Sequence, residues 1–233
     1  MKKFATLGLT LGLLAGGAGV AGASTISWTG APLIGTGTTT ISTAGFLVEA
    51  HNVGDSSAAP IAAGSVSFDE LAANPFGNEN TGFVLPYTPV FTGNAAFDVV
   101  LDSASWWWVV PVDLTLTGLT PGDSYLAQFF VADTRECCIA RTVIVSAGNS
   151  SESGALSAGW VFTGTFVADA TTQTVTFSGT GPVGINGAPY LNASQLRNIT
   201  ATDRGIDAVP EPATLVLCGI GAMLAASRLR RRQ

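Results

Sequence analysis

Hydrophobic and polar positions alternate with a period of two through the middle of this chain. Over 109–117, Val112, Leu114 and Leu116 fall on one side and Asp113, Thr115 and Thr117 on the other, which predicts a half-buried strand. Over 124–131, Tyr125, Ala127, Phe129 and Val131 share one face, and Ser124, Leu126, Gln128 and Phe130 the other. Shorter alternating or β-branched runs predict further strands at 25–28, 46–51, 65–68, 141–147 and 194–200. Residues 160–167 and 172–178 flank 168–170 and predict a hairpin, with Val175 and Phe177 on one face. Residues 97–101 (FDVVL) fit a strand or one helical turn. Between 24 and 204 no convincing 3.6-residue pattern runs for ten residues or more.

Turn chemistry separates these runs. Residues 30–43 are a Gly, Thr and Ser loop, and 74–80 (NPFGNEN) predict turns throughout. At Pro121-Gly122 the proline presets φ and the glycine takes a positive φ. Eight to ten short strands divided in this way predict an all-β fold, a single antiparallel β-sandwich over 24–204. A domain of that size buries about 70% of its unfolded surface, so it needs neither metal nor disulfide to fold.

Both ends break the alternation. Met1-Lys2-Lys3, an apolar stretch over 4–20 and the small triplet Ala21-Gly22-Ala23 predict a signal peptide at 1–23, cut by signal peptidase after Ala23. Residues 205–233 predict a linker and a terminal signal. They carry Val209-Pro210-Glu211-Pro212, an uncharged apolar helix over 213–227, and a basic end at 228–232 with Arg228, Arg230, Arg231 and Arg232. The apolar run is shorter than the roughly 17–25 residues of an ordinary spanning helix, so flanking residues must help it span, with the arginines on the cytoplasmic side.

Setting both ends aside changes the charge. The whole chain carries −6, whereas 24–209 holds fifteen acidic residues against Arg135, Arg141, Arg197 and Arg204, a formal −11, and has no lysine or methionine. Such a surface repels nucleic acid and anionic lipid and suits either solubility outside the cell or divalent cations. His51 is the single histidine, which rules out a multi-histidine metal centre. No nucleophile elbow supports a Ser-His-Asp triad, and the glycines form no phosphate-binding loop. Carboxylate pairs suited to glycoside hydrolysis exist by sheer number.

Three stretches offer candidate chemistry. In an extended Trp106-Trp107-Trp108, Trp106 and Trp108 share one face and Trp107 takes the other. An exposed indole stacks on sugar rings; the competing reading buries one face in the core and covers the other with a loop. Asp133-Thr134-Arg135-Glu136-Cys137-Cys138 reads as a sugar-contacting loop, a calcium loop or surface ion pairs, and its spacing fits no calcium-loop pattern. Export would place Cys137 and Cys138 in an oxidising compartment, where a bond between these neighbours, a bond between two chains and two free thiols are the alternatives. Arg141 and Arg197 are expected to pair with carboxylates. Asn192-Ala193-Ser194 and Asn198-Ile199-Thr200 match the glycosylation sequon; a bacterial origin would discount both.

The tail, with its Val209-Pro210-Glu211-Pro212, apolar run and arginine-rich end, resembles the PEP-CTERM sorting signal. That resemblance implies recognition by an exosortase, temporary inner-membrane anchoring and cleavage near Pro-Glu-Pro. Delivery to the surface or exopolysaccharide matrix of a Gram-negative bacterium follows. Residues 116–125 (LTGLTPGDSY) resemble the tyrosine corner of fibronectin type III domains, where a Tyr hydroxyl bonds upstream backbone and fixes a crossover between sheets. With Gln128-Phe129-Phe130, Asp133, Arg141-Thr142, Gly164-Thr165-Phe166 and Gln195-Leu196-Arg197, the pattern is similar to jelly-roll, carbohydrate-binding-like modules of secreted bacterial proteins. The expectation is therefore an exported, non-catalytic surface or matrix protein with a jelly-roll-like sandwich. Exopolysaccharide is its candidate partner, and no cofactor is required. A glycan-active hydrolase and a calcium-stabilised module are the alternatives.

Overall fold

The computed structural model describes residues 24–54, 59–84, 91–107, 111–138, 140–181 and 188–200. In chain order these hold β1 (Ser27–Trp28), β2 (Phe46–Asn52), β3 (Ile61–Ala63), β4 (Val66–Glu70), β5 (Asn78–Asn80), α1 (Ala95–Asp102), β6 (Ala104–Trp106) and β7 (Val112–Leu116). There follow β8 (Ser124–Val131), β9 (Thr142–Ala147), β10 (Asn149–Glu152), β11 (Trp160–Val167), β12 (Gln173–Thr180), β13 (Tyr190–Leu191) and β14 (Ala193–Asn198). The larger sheet runs β1-β11-β8-β14-β2-β4-β3, the smaller β10-β9-β12-β7, and a short third sheet β13-β6-β5.

From β7 to β12 the chain crosses between the two main sheets at each step, except at the β9–β10 hairpin, and it reaches β14 by way of β13 in the third sheet. The inner strands β11-β8-β14-β2 facing β10-β9-β12-β7 have the eight-strand order of a jelly roll. Two details depart from expectation. The β2–β4 pair is parallel, so the larger sheet is not wholly antiparallel. Residues 160–167 and 172–178 form no hairpin. β11 has both edges filled by β1 and β8, and β12 by β7 and β9, so the intervening segment carries the chain across the sandwich instead. It is stitched to the neighbouring β7–β8 crossover, with Gly122 N donating to Ala168 O at 2.7 Å and Ala168 N to Asp123 O at 2.9 Å.

The tyrosine corner is present. Thr120 N donates to Tyr125 Oη at 2.8 Å, and the Tyr125 ring stacks on Phe166 at 5.6 Å. One hydrogen bond thus pins the strand after the crossover to the turn before it. Gly122 sits at φ +91°, where an L side chain is strained.

The core between the sheets draws Tyr125, Phe129, Phe162 and Leu196 from the larger sheet against Leu114, Val145, Val175 and Phe177 from the smaller. Phe129 and Phe177 meet edge to face at 5.1 Å. The outer face of the larger sheet is buried as well. There Phe130 and Ala50 pack with Phe68 of β4 and with Phe97, Val100 and Leu101 of α1. This settles residues 97–101 as helix. Asn94 caps it by accepting from Phe97 N at 2.9 Å, and its apolar residues fall at i, i+3 and i+4. Eight residues are too few for that period to stand out. Residues 74–80 are not turn throughout, since Asn78–Asn80 pairs with β6. Among the described residues no helix is long and apolar enough to cross a membrane; 213–227 lies outside them.

The sandwich has two distinct ends. Ile199 N donates to Ser124 O at 2.8 Å, Ser124 lies opposite Val167, and Ser24 Oγ donates to Val167 O at 2.7 Å. The first and last described residues therefore meet at the end where β8 begins. At the other end β8 runs out into 132–138, beside the third sheet.

Candidate functional site

The far end holds the tryptophans. Trp106 sits opposite Asn78 and Tyr190 in the third sheet and packs half-buried against the core. Trp107 is 37% exposed. Its six-membered ring lies over Gly77. A Cβ on that residue would come within 2.5 Å of the ring, and its φ is +76°, so glycine is required there on two counts. Trp108 lies outside the described residues. Of the two indoles described, Trp107 is the one counted as exposed, and its ring has a fixed seat over Gly77.

A groove of about 380 Å³ runs between β2 and β7, edged by Glu49, His51, Asp113 and Thr117. Its volume falls within the roughly 300–1,000 Å³ of small-molecule sites. Leu71, Ala72, Ala73 and Pro75 wall it, and the same loop continues to Gly77 under Trp107. Glu49 Oε2 stands 3.5 Å from His51 Nε2 and 3.4 Å from the donating Thr117 Oγ1. Asp113 Oδ1 accepts from Thr176 Oγ1 at 2.6 Å. Neither Glu49 nor Asp113 stands out in the sequence, because period two gives a residue's face but not the strand opposite.

Burial alone would lower the His51 pKa, but Glu49, the Glu70 carbonyl and Asp69 outweigh it and raise the value. A raised folded-state value contributes stability that is fully present below the unfolded value of about 6.5 and lost as pH rises through the folded one. Melting from pH 5 to 9 should therefore show wild type gaining on His51→Gln upon acidification. A difference independent of pH would refute the assignment.

Asp133 is not a surface residue. Its side chain is fully buried. Arg135 grips it bidentately, Nε to Oδ1 and Nη2 to Oδ2, both at 2.8 Å. Arg141 Nη1 approaches to 3.8 Å, the carboxylate pairing expected of it. Arg135 lies 3.9 Å over the Phe83 ring and Arg141 5.7 Å over Tyr190. Burial holds the Tyr190 hydroxyl protonated well above its usual range, and it donates to Ala132 O at 2.7 Å. A calcium ion at Asp133 would have to displace Arg135. Melting of the protein with and without chelator is expected to coincide, and a chelator-induced drop would overturn this. Among the described residues no three His, Cys, Asp or Glu side chains group to hold a metal.

Cys137 and Cys138 are bonded to each other, the vicinal alternative, within a turn where Cys138 N donates to Arg135 O at 3.0 Å. Arg197 differs from expectation. It donates to the carbonyls of Ala44 and Gly45 at 2.5 and 2.9 Å rather than to a carboxylate, fastening the entry of β2. Asn192 is wholly buried, which removes it as a glycan acceptor and reveals a structural hub.

The outer chemistry of the chain is its address. Residues 208–232 match the PEP-CTERM protein-sorting motif. The PEP-CTERM segment lies outside the described residues. It marks an exosortase substrate, exported and sorted to the cell surface of a Gram-negative bacterium. Comparisons with curated proteins and with solved structures return no match.

Proposed function

We propose that this is a non-catalytic surface or matrix protein whose jelly roll binds exopolysaccharide at the end facing away from its sorting tail. The tail anchors it transiently in the inner membrane before exosortase cleaves near Pro210-Glu211-Pro212. The observation that carries this reading is Trp107, an exposed indole fixed over Gly77 at the end opposite Thr200. A flat apolar ring in that position stacks on a sugar face, and the adjoining groove supplies Asp113 for hydroxyl contacts.

The test is retention of the protein on the host's own exopolysaccharide. Trp107→Ala is expected to abolish retention while Tm moves by only a few degrees, since the ring is already part-exposed. Equal retention of both proteins would sink the proposal. Glu49 and Asp113 at one groove also suit a glycan hydrolase. Release of reducing ends by wild type but not by Glu49→Gln would favour that reading instead.

A further inference from the structure

We infer that the end of the sandwich nearest the tail is a lipid-docking rim, formed by Phe46, Leu47, Val48 and Val167, that rests on the bilayer while the tail is anchored. The inference builds on the transient anchoring proposed above. These four are among the exposed large apolar residues, Phe46 at 66% and Val167 at 57%. All lie toward the end where Ile199 and Thr200 bond to Ser124.

The exposure has a backbone cause. On β14, Leu196 and Arg197 are neighbours, yet they pair with Glu49 and Leu47. Val48 is therefore an extra residue in β2, and such a bulge bends and twists its strand. Beyond the bulge β2 has no outer strand partner among the described residues, since β4 pairs only with His51 and Asn52. Three consecutive apolar side chains thus reach solvent from a strand whose other half buries Ala50 and Asn52.

Two occupants are conceivable, and Val167 decides between them. A second copy adding its strand to the free edge of β2 would cover Phe46–Val48 but not Val167. That residue lies across β14 and β8 on the same rim, about 14 Å away at normal strand spacing. A plane touching the rim meets both. The chain itself brings that plane close. Nine residues separate Thr200 from Pro210, a tether of at most ~35 Å. Asp123 and Asp169 belong to the same end, so the matching surface is zwitterionic lipid rather than anionic.

The experiment uses the full chain in phosphatidylcholine–phosphatidylethanolamine vesicles. Hydroxyl-radical oxidation of individual side chains is read by mass spectrometry and compared with the same chain after proteolytic release of its tail. Oxidation of Phe46, Leu47 and Val167 is expected to fall severalfold in the vesicles while Trp107 is unchanged. In Phe46→Ser/Val167→Ser, both exposed positions, the protection of Leu47 should be lost. Failure of the full chain to float with vesicles would overturn the anchoring reading. Flotation with unprotected rim residues would overturn the docking rim alone. Protection of Phe46 without Val167 that persists after tail release and grows with protein concentration would replace the bilayer with a second copy.

Discussion

Asp133→Ala is expected to destabilise the mature domain by about 3–5 kcal/mol, the usual cost of stripping one partner from a buried ion pair. In a domain of this size that lowers Tm by on the order of 10 °C. The carboxylate is fully buried and holds Arg135 by two hydrogen bonds and Arg141 by charge. Removing it takes from two guanidiniums, one over Phe83 and the other over Tyr190, the carboxylate that both approach. Burial already lowers the Arg141 pKa, and Asp133 is the principal influence opposing it. Much of the penalty is thus uncompensated charge rather than lost attraction. Asp133→Ala/Arg135→Met should therefore recover part of the stability, because well-packed apolar groups often replace a buried pair without loss. A double-mutant cycle measures the coupling. A single-mutant loss below about 1 kcal/mol would show that the carboxylate is not buried as described.

The burial of Asp133, in a stretch whose polarity suggests surface ion pairs among other readings, marks what a linear pattern conveys. Asp-Thr-Arg-Glu is polar, and polar runs are usually solvated. Here the partner that makes burial tolerable is only two residues away, and the ring covering that partner, Phe83, belongs to another loop. The tyrosine corner was legible because donor turn and acceptor ring are held within 116–125. The strand faces of β7, β8 and β9 were legible for the same reason. Edge partners were not, because alternation at 160–178 shows which side chains are buried and is silent about which strand hydrogen-bonds to which. The candidate site divides in the same way. Alternation put Trp107 opposite Trp106, but only the seat at Gly77 shows which of them faces out. Glu49 and Asp113 come to line one groove only through the pairing of strands distant in the chain.

Asn192 carries the second large effect. Its Oδ1 accepts from Ala132 N at 2.6 Å, and its amide nitrogen reaches Leu101 O at 2.6 Å, Ser103 O at 3.0 Å and Ala132 O at 3.1 Å. Leu101 lies in the last turn of α1, where carbonyls have no partner within the helix. One buried side chain therefore closes α1, holds the entry of β6 and fixes the exit of β8, joining the helix layer to the end that presents Trp107. Asn192→Ala strands a buried donor and buried acceptors, each costing about 1–3 kcal/mol, so a loss of about 3 kcal/mol or more is expected. Asn192→Asp separates hydrogen bonding from packing. It has the same shape and keeps the acceptor for Ala132 N, but it sets a carboxylate oxygen against the carbonyls of Leu101 and Ser103. If the hub acts through its amide donors, Asn192→Asp melts at least as low as Asn192→Ala, and amides of α1 lose hydrogen-exchange protection before those of β8. Melting of Asn192→Asp within about 2 °C of wild type, less than 1 kcal/mol in a domain of this size, would reduce Asn192 to a space-filler.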